Sequence, residues 1–291
     1  MGRTIAFSNI KGGSGKTTTT VNIAAALAHK GYKVLLLDTD PQGHASLSLG
    51  ITPNNIRRDL FALLTEDIEP RTVMYNGFLP NLKIIPATKR LVSFEKNYSR
   101  DKSARSRLAQ KIVQEKKEFD YTILDTPPTI SLLTFAALIA SEEVIIPVQA
   151  HYLGMRGVFE MVRLLYKINQ VYHTDLNLTG IIPTFYSEKM RLSKAVVTEI
   201  KRTLGEGIFL HPVRNNIALA EAPMFGKSIF QYNGKSIGAA DYLKIADQIV
   251  QMNAQPVPAQ PPPEPPVPEQ PAPEQAEPAD HASNDEIETP S

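Results

Sequence analysis

The sequence predicts an α/β fold: a doubly wound, mainly parallel sheet flanked by helices. Three observations predict it. Short, continuous apolar runs recur along the chain, as expected of strands buried on both faces. Helical patterns separate them, which implies parallel pairing through right-handed crossovers. The unusual glycine, lysine and aspartate residues follow the apolar runs, where open α/β sheets bind ligands.

In order, residues 4–8 read as a buried strand and residues 17–29 as an Ala-rich helix. Strands follow at 33–37, 82–86, 121–124 and 144–148, with residues 130–140 helical between the last two. Residues 154–171 form a long amphipathic helix with Val158, Met161, Val162, Leu165 and Ile168 on one face. Strands at 176–182 and 208–210 enclose a helix at 192–204, and a helix at 239–252 closes the domain. There is no internal repeat.

Residues 1–252 are thus expected to be one domain and residues 253–291 a disordered, acidic, Pro-rich tail. Residues 255–291 hold 12 Pro, 8 Asp/Glu and no Lys or Arg, and their only large aliphatic residues are Val257, Val267 and Ile287. Too little apolar surface is present there to offset chain entropy. The whole chain has 31 basic and 30 acidic residues; without the tail acids the body has 31 against 22, a net charge of +9. Such a body suits a polyanionic partner, although moderate positive charge also occurs where there is none. The absence of cysteine excludes disulfides, zinc–thiolate sites and Cys-ligated iron–sulfur clusters. No leader-like or membrane-spanning apolar run is present, so a cytoplasmic protein is expected. No helix-turn-helix precedes residue 11, which argues against a sequence-specific repressor.

The segment Lys11-Gly12-Gly13-Ser14-Gly15-Lys16-Thr17 lies between the first strand and the first helix. Glycines let backbone N–H groups approach phosphate oxygens, and the helix start adds unpaired N–H groups. Lys16 can reach the β- and γ-phosphates and the Thr17 hydroxyl can take a Mg²⁺ position. The ordinary motif has glycine five residues before Gly15, where Ile10 stands; instead a second lysine, Lys11, opens the loop. Two lysines so close together are costly unless a polyanion neutralises both. With Lys16 serving its own loop, Lys11 is free to reach a phosphate from outside, for example on a facing subunit.

Two acidic loops accompany it. Asp38 and Asp40 end the second strand in Asp38-Thr39-Asp40-Pro41-Gln42-Gly43. Beside a nucleotide, one could order a Mg²⁺ shell and the other orient attacking water; without the phosphate loop, the segment would read as an ordinary polar turn after a strand. Asp125 ends a further apolar strand, the arrangement that holds Mg²⁺ through water. His29, His44, His151, His173, His211 and His281 are scattered and form no competing catalytic cluster. In the carboxyl half, Lys189, Arg191, Lys194, Lys201 and Arg202 lie on or just before one helix, with Lys227 and Lys235 further on. They suit phosphate contacts without base readout, and read equally as a solvated helix face.

KGGSGKT resembles the deviant phosphate loop of the ParA/MinD superfamily, DTDPQ its first switch, and Asp125-Thr126-Pro127-Pro128 its second. The segment Leu219-Ala220-Glu221-Ala222-Pro223 with Gly226-Lys227 resembles the LSEAP…GKP segment of Soj-like partition ATPases, with Ala218 in place of a DNA-contacting arginine and Ser228 in place of proline. The resemblance spans residues 1 to about 252. It implies ATP and Mg²⁺ as cofactors. It implies that Lys11 crosses a face-to-face homodimer to the partner's nucleotide, while Gly12, Gly13, Ser14, Gly15, Lys16, Thr17 and Thr18 bind phosphates. Asp40 would position the hydrolytic water, Asp38, Asp125 and Thr17 would serve the metal, and Pro212 and Arg214 would belong to the base-binding loop. The ATP dimer would bind nucleoid DNA non-specifically through Lys189, Arg191, Lys194, Lys201, Arg202 and Lys227. A ParB-like or adaptor partner would stimulate hydrolysis and release it, positioning a plasmid, chromosome or protein assembly.

Two alternatives remain. A MinD-like switch would act at the membrane or in cell-division or flagellar placement, but that branch ends in a basic amphipathic helix and this chain in an acidic segment. An ATP-dependent ligase or amidase on the same fold would need an added substrate pocket. The tail itself reads as a linker, a partner-docking segment or a competitor of DNA for the basic face.

Overall fold

The computed structural model describes residues 2–172, 174–252 and 255–256. Among the described residues eight strands form one sheet: β1 (Arg3–Phe7), β2 (Val34–Asp38), β3 (Tyr75–Asn76), β4 (Leu82–Ile85), β5 (Tyr121–Asp125), β6 (Glu143–Gln149), β7 (Asn177–Thr184) and β8 (Gln255–Pro256). Their order is β3-β4-β2-β5-β1-β6-β7-β8; the six longer strands pair in parallel, and the two-residue edge strands pair antiparallel. The expected doubly wound parallel sheet is therefore present.

Strand periodicity explains the two-sided core. In β2, Val34 and Leu36 face one side while Leu35 and Leu37 face the other. The first side packs on α1 (Lys16–His29) and on α11, which spans Ile237–Gln251 and presents Tyr242, Ile245 and Ile249. Residues Ala24, Ala25 and Ala26 keep α1 thin enough to be buried between the sheet and α11. The opposite side is covered by α3 (Leu60–Thr65), α4 (Arg90–Tyr98), α5 (Arg107–Ile112), α6 (Leu132–Ala140), α7 (Tyr152–Tyr172) and α8 (Arg191–Leu204). Three short helices, α2 (His44–Ser48), α9 (Ile217–Glu221) and α10 (Ile229–Asn233), complete the set.

Two expectations need correction. Residues 208–210 are not a strand: a 3₁₀ turn covers Glu206–Ile208, and Phe209 makes a single parallel bridge to Ile181. The segment follows β7 only intermittently, through Leu210 N–Ile181 O at 3.0 Å and Val213 N–Pro183 O at 2.8 Å, because the intervening Pro212 has no N–H to donate. Within the expected tail, Gln255–Pro256 pairs with β7 at Asn177 and Leu178, the edge position where proline is tolerated. The rest of that tail, with residues 253 and 254, lies outside the described residues, as do His173 and His281.

Candidate nucleotide-binding site

The loop between β1 and α1 opens at the carboxyl ends of the central strands. Gly13 and Gly15 have φ of 73° and 79°, a left-handed backbone that favours glycine. At Gly15 the space is also closed, since a Cβ would stand 3.3 Å from Thr184 Cγ2. Thr184, at the end of β7, anchors the loop by donating its hydroxyl to Ser14 O at 2.9 Å. The Ser14 hydroxyl is buried and has no hydrogen-bond partner among the described residues. An orphaned hydroxyl inside a glycine cradle fits a phosphate oxygen.

The two lysines have opposite surroundings. Lys16 is buried, and its ammonium donates to Lys11 O at 3.0 Å. Burial lowers its pKa, against the raising influence of Asp125 and Asp40. Lys11 is exposed and its backbone N–H donates to Asn9 Oδ1 at 3.0 Å, while Asn9 Nδ2 holds Pro147 O at 2.8 Å. The stem of Lys11 crosses α7 at Gly157, where a Cβ would come 2.8 Å from Lys11 Cγ.

Asp38 and Asp125 are paired in the β2–β5 register and both are fully buried. Asp125 accepts from Thr17 Oγ1 at 2.8 Å and from Thr20 Oγ1 at 2.9 Å. Asp38 accepts from the Ser46 N–H at 2.8 Å, the Ser46 hydroxyl at 2.7 Å and the Asp40 N–H at 3.2 Å. Burial raises the pKa of both above the usual carboxylate range; the Asp38 carboxylate raises that of Asp125 further, and Asp40 raises both. Two acids crowded beside a threonine hydroxyl form an oxygen-rich site that fits Mg²⁺. Among the described residues no cluster of three or more His, Cys, Asp or Glu could cage a metal alone. Asp40 is buried, and its Oδ1 accepts from the Gln42 N–H at 2.9 Å, which fixes the turn at the cavity edge.

One cavity of about 540 Å³ brings most of these residues together: Gly12 through Thr18, Asp40, Pro41, Gln42, and Pro127 through Thr129. A smaller cavity of about 240 Å³ adjoins it across Gly15 and Thr18, and Thr184, Phe185, Val213, Arg214 and Tyr242 help to line it. It is apolar enough to receive a base. Pro212, expected here, is not among its lining residues; Val213 takes that place because its backbone bonds β7 while Pro212 bulges past. Arg214 lines the cavity, but its guanidinium is held by the buried Asp241, with Nη2–Oδ1 at 2.6 Å and Nε–Oδ2 at 3.0 Å. His211 Nε2 lies 3.1 Å from the same carboxylate. Arg214 is therefore a structural member of the cavity wall.

The basic surface divides. Lys189, Arg191, Lys194 and Lys227 are exposed and have no ion pair among the described residues. Arg202 is engaged by Glu199 at 2.7 Å, and Lys201 lies over the Phe209 ring at 5.6 Å. Sequence reading missed Asn9, Thr20, Ser46, Thr184, Phe185, Gly157 and Asp241. Of these only Thr20, one helical turn after Lys16, carried a local signal.

The comparisons agree with this geometry. A family model described as an AAA domain matches residues 2–178. The chain is 36% identical over 249 residues to the sporulation initiation inhibitor protein Soj of Bacillus subtilis (86% of this chain, 98% of Soj). It is 37% identical over 249 residues to the chromosome-partitioning ATPase Soj of Thermus thermophilus (85% of this chain, 95% of the relative). Among solved structures it is similar to a Mycobacterium smegmatis protein described as cobyrinic acid a,c-diamide synthase, solved with an ATP analogue and magnesium (29% identity, TM-score 0.74, 86% and 95% of the two chains). With the deviant loop, both acidic switches and these relatives in place, the chain belongs to the ParA/Soj family of phosphate-loop ATPases.

Proposed function

We propose that the protein is an ATP-driven positioning switch. ATP with Mg²⁺ is the ligand: the glycine loop and Lys16 hold the phosphates, Asp125 and Thr17 hold the metal with help from Asp38, and the apolar cavity at Phe185 and Val213 takes the base. When bound, Mg²⁺ neutralises charge on the β- and γ-phosphates. Asp40 orients the attacking water for hydrolysis to ADP and phosphate. Lys11 reaches the nucleotide of a second copy and so couples ATP binding to homodimer formation. The dimer binds nucleoid DNA without sequence preference, with Lys189, Arg191, Lys194 and Lys227 as phosphate contacts. A ParB-like or adaptor partner stimulates hydrolysis and returns the monomer, so that the output is the position of a cargo in the cytoplasm.

The observation that carries this reading is the division of labour between the lysines. The buried Lys16 already serves the loop, so the exposed Lys11 at its mouth has no phosphate of its own to hold. Among the described residues no helix is long and apolar enough to cross a membrane. DNA gel shift and pelleting with anionic vesicles, each with ATP and with ADP, test the reading. ATP-dependent DNA binding without vesicle binding is expected. Vesicle binding without DNA binding would assign a membrane switch, and turnover that requires a small-molecule acceptor would assign a ligase or amidase.

A further inference from the structure

A second cavity, of about 590 Å³, lies behind the nucleotide site. The loop that carries Asp40 separates the two, and Pro41 and Gln42 line both. The second cavity has an apolar floor of Leu47, Ile51, Pro53 and Ile56, and a rim carrying Arg57, Lys89 and Arg90. All three rim cations are exposed. The one acid lining it, Asp59, is buried and already committed. It caps α3 through the Ala62 N–H at 3.1 Å, takes Arg90 Nη1 at 3.2 Å and accepts from the Thr88 hydroxyl. Arg57 and Lys89 have no ion pair among the described residues. An apolar trough edged by unpaired cations selects an acidic segment that carries a large aliphatic side chain.

Residues Asp285-Glu286-Ile287-Glu288 of the same chain have that pattern, within a stretch, residues 255–291, that contains 8 acids and no Lys or Arg. We propose that this segment docks in the groove, with Ile287 on the apolar floor and Asp285, Glu286 and Glu288 against Arg57, Lys89 and Arg90. The reach is sufficient. Pro256 pairs with Asn177 at the start of β7, near the sheet edge opposite the groove. Five strand spacings of ~4.8 Å combined with a strand height of ~26 Å separate the two by roughly 35–40 Å. The 28 residues between Pro256 and Asp285 are enough for a Pro-rich chain to reach up to ~90 Å at ~3.1 Å per residue. The basic face of α8 competes for the acids, but a convex helix surface offers no recess for Ile287. A docked segment braces Pro41, Gln42 and Gly43 and thereby slows turnover; that consequence rests on the ATPase reading, whereas the docking does not.

The chain contains no cysteine, so two introduced cysteines report a single proximity. In the full chain, Asn54→Cys at the groove rim with Thr289→Cys should form an intrachain disulfide under mild oxidation at least ~10-fold faster than Thr198→Cys on α8 with Thr289→Cys. Arg57→Glu with Lys89→Glu should bring the rate down to that of the control. So should Asp285→Asn, Glu286→Gln, Ile287→Ser and Glu288→Gln together, substitutions that alter no described residue. Equal rates for the two cysteine pairs, or a rate indifferent to both sets of substitutions, would overturn the docking. A faster link to α8 would overturn it in favour of the basic helix, and a disulfide between chains in favour of a second copy. ATP turnover by the same variants separates the two claims. Lost cross-linking with unchanged turnover refutes the brace, and absent turnover in the parent refutes the ATPase reading while the cross-link still reports docking.

Discussion

Lys11 and Lys16 stand in one loop, yet one is exposed and the other is buried against the backbone oxygen of the first. What keeps Lys11 at the mouth is local and specific: Asn9 bonds its N–H, and Gly157 clears its stem. Gly157→Val should therefore leave ATP binding by the monomer within about 3-fold while weakening ATP-dependent self-association at least ~10-fold, as read by titration calorimetry and sedimentation. Asp241 illustrates a different balance. Burial pushes its carboxyl up, but the bonds from Arg214 and His211 outweigh that and hold it below the usual range. Its contribution to stability is therefore present above the unfolded value of about 4 and is lost as pH falls through the lower, folded value. The difference in urea midpoint between the parent and Asp241→Asn should be largest near neutrality and shrink in that acid window. A difference independent of pH would contradict the pairing. The lysines and the acids at strand ends were legible in the sequence because each sits beside its own strand. Thr184, Gly157 and Asp241 were not, because they reach the site through approaches between elements distant in the chain.

The same division holds for elements. Strands buried on both faces announce themselves as continuous apolar runs, so β1, β2, β4, β5, β6 and β7 were legible within a residue or two. The two-residue strands β3 and β8 have no such pattern, and the short helices between residues 44 and 112 are below the length at which a helical period shows. Residues 208–210 looked like a strand because Ile-Phe-Leu is apolar, but their burial comes from packing beside β7 with only partial pairing. Inside the sheet, Arg3 of β1 grips Glu143 of β6 through two bonds of 2.7 Å, and Thr179 of β7 donates to the same carboxylate at 2.6 Å. Removing the cation leaves a buried carboxylate with a hydroxyl as its remaining side-chain partner. Arg3→Met should cost about 2–4 kcal/mol in chemical denaturation, and adding Glu143→Leu should restore part of it. No loss in the single variant would contradict the role of the pair.

At the scale of the whole molecule, the proposed DNA contact rests on the basic body and its uneven surface. Lys189 and Lys194 are exposed and have no ion pair among the described residues, whereas Lys201 and Arg202 are occupied within the chain. Lys189→Ala with Lys194→Ala should weaken ATP-dependent DNA binding about equally for all sequences and flatten the dependence of log affinity on log salt by about 2. Lys201→Ala should do less, and the reverse order would reassign the face. In the proposed dimer Lys11 also acts at this scale, since its phosphate partner there would belong to another copy. The most direct measurement is sedimentation of the Asp40→Ala form, in which the proposed role of Asp40 would block hydrolysis, at saturating ATP and Mg²⁺, with and without Lys11→Ala. The Asp40→Ala form should sediment as a dimer, and the form that also carries Lys11→Ala should bind ATP yet remain a monomer. A dimer that persists without Lys11, or a monomer at saturation with Lys11 present, would contradict the assignment of that lysine to the facing nucleotide.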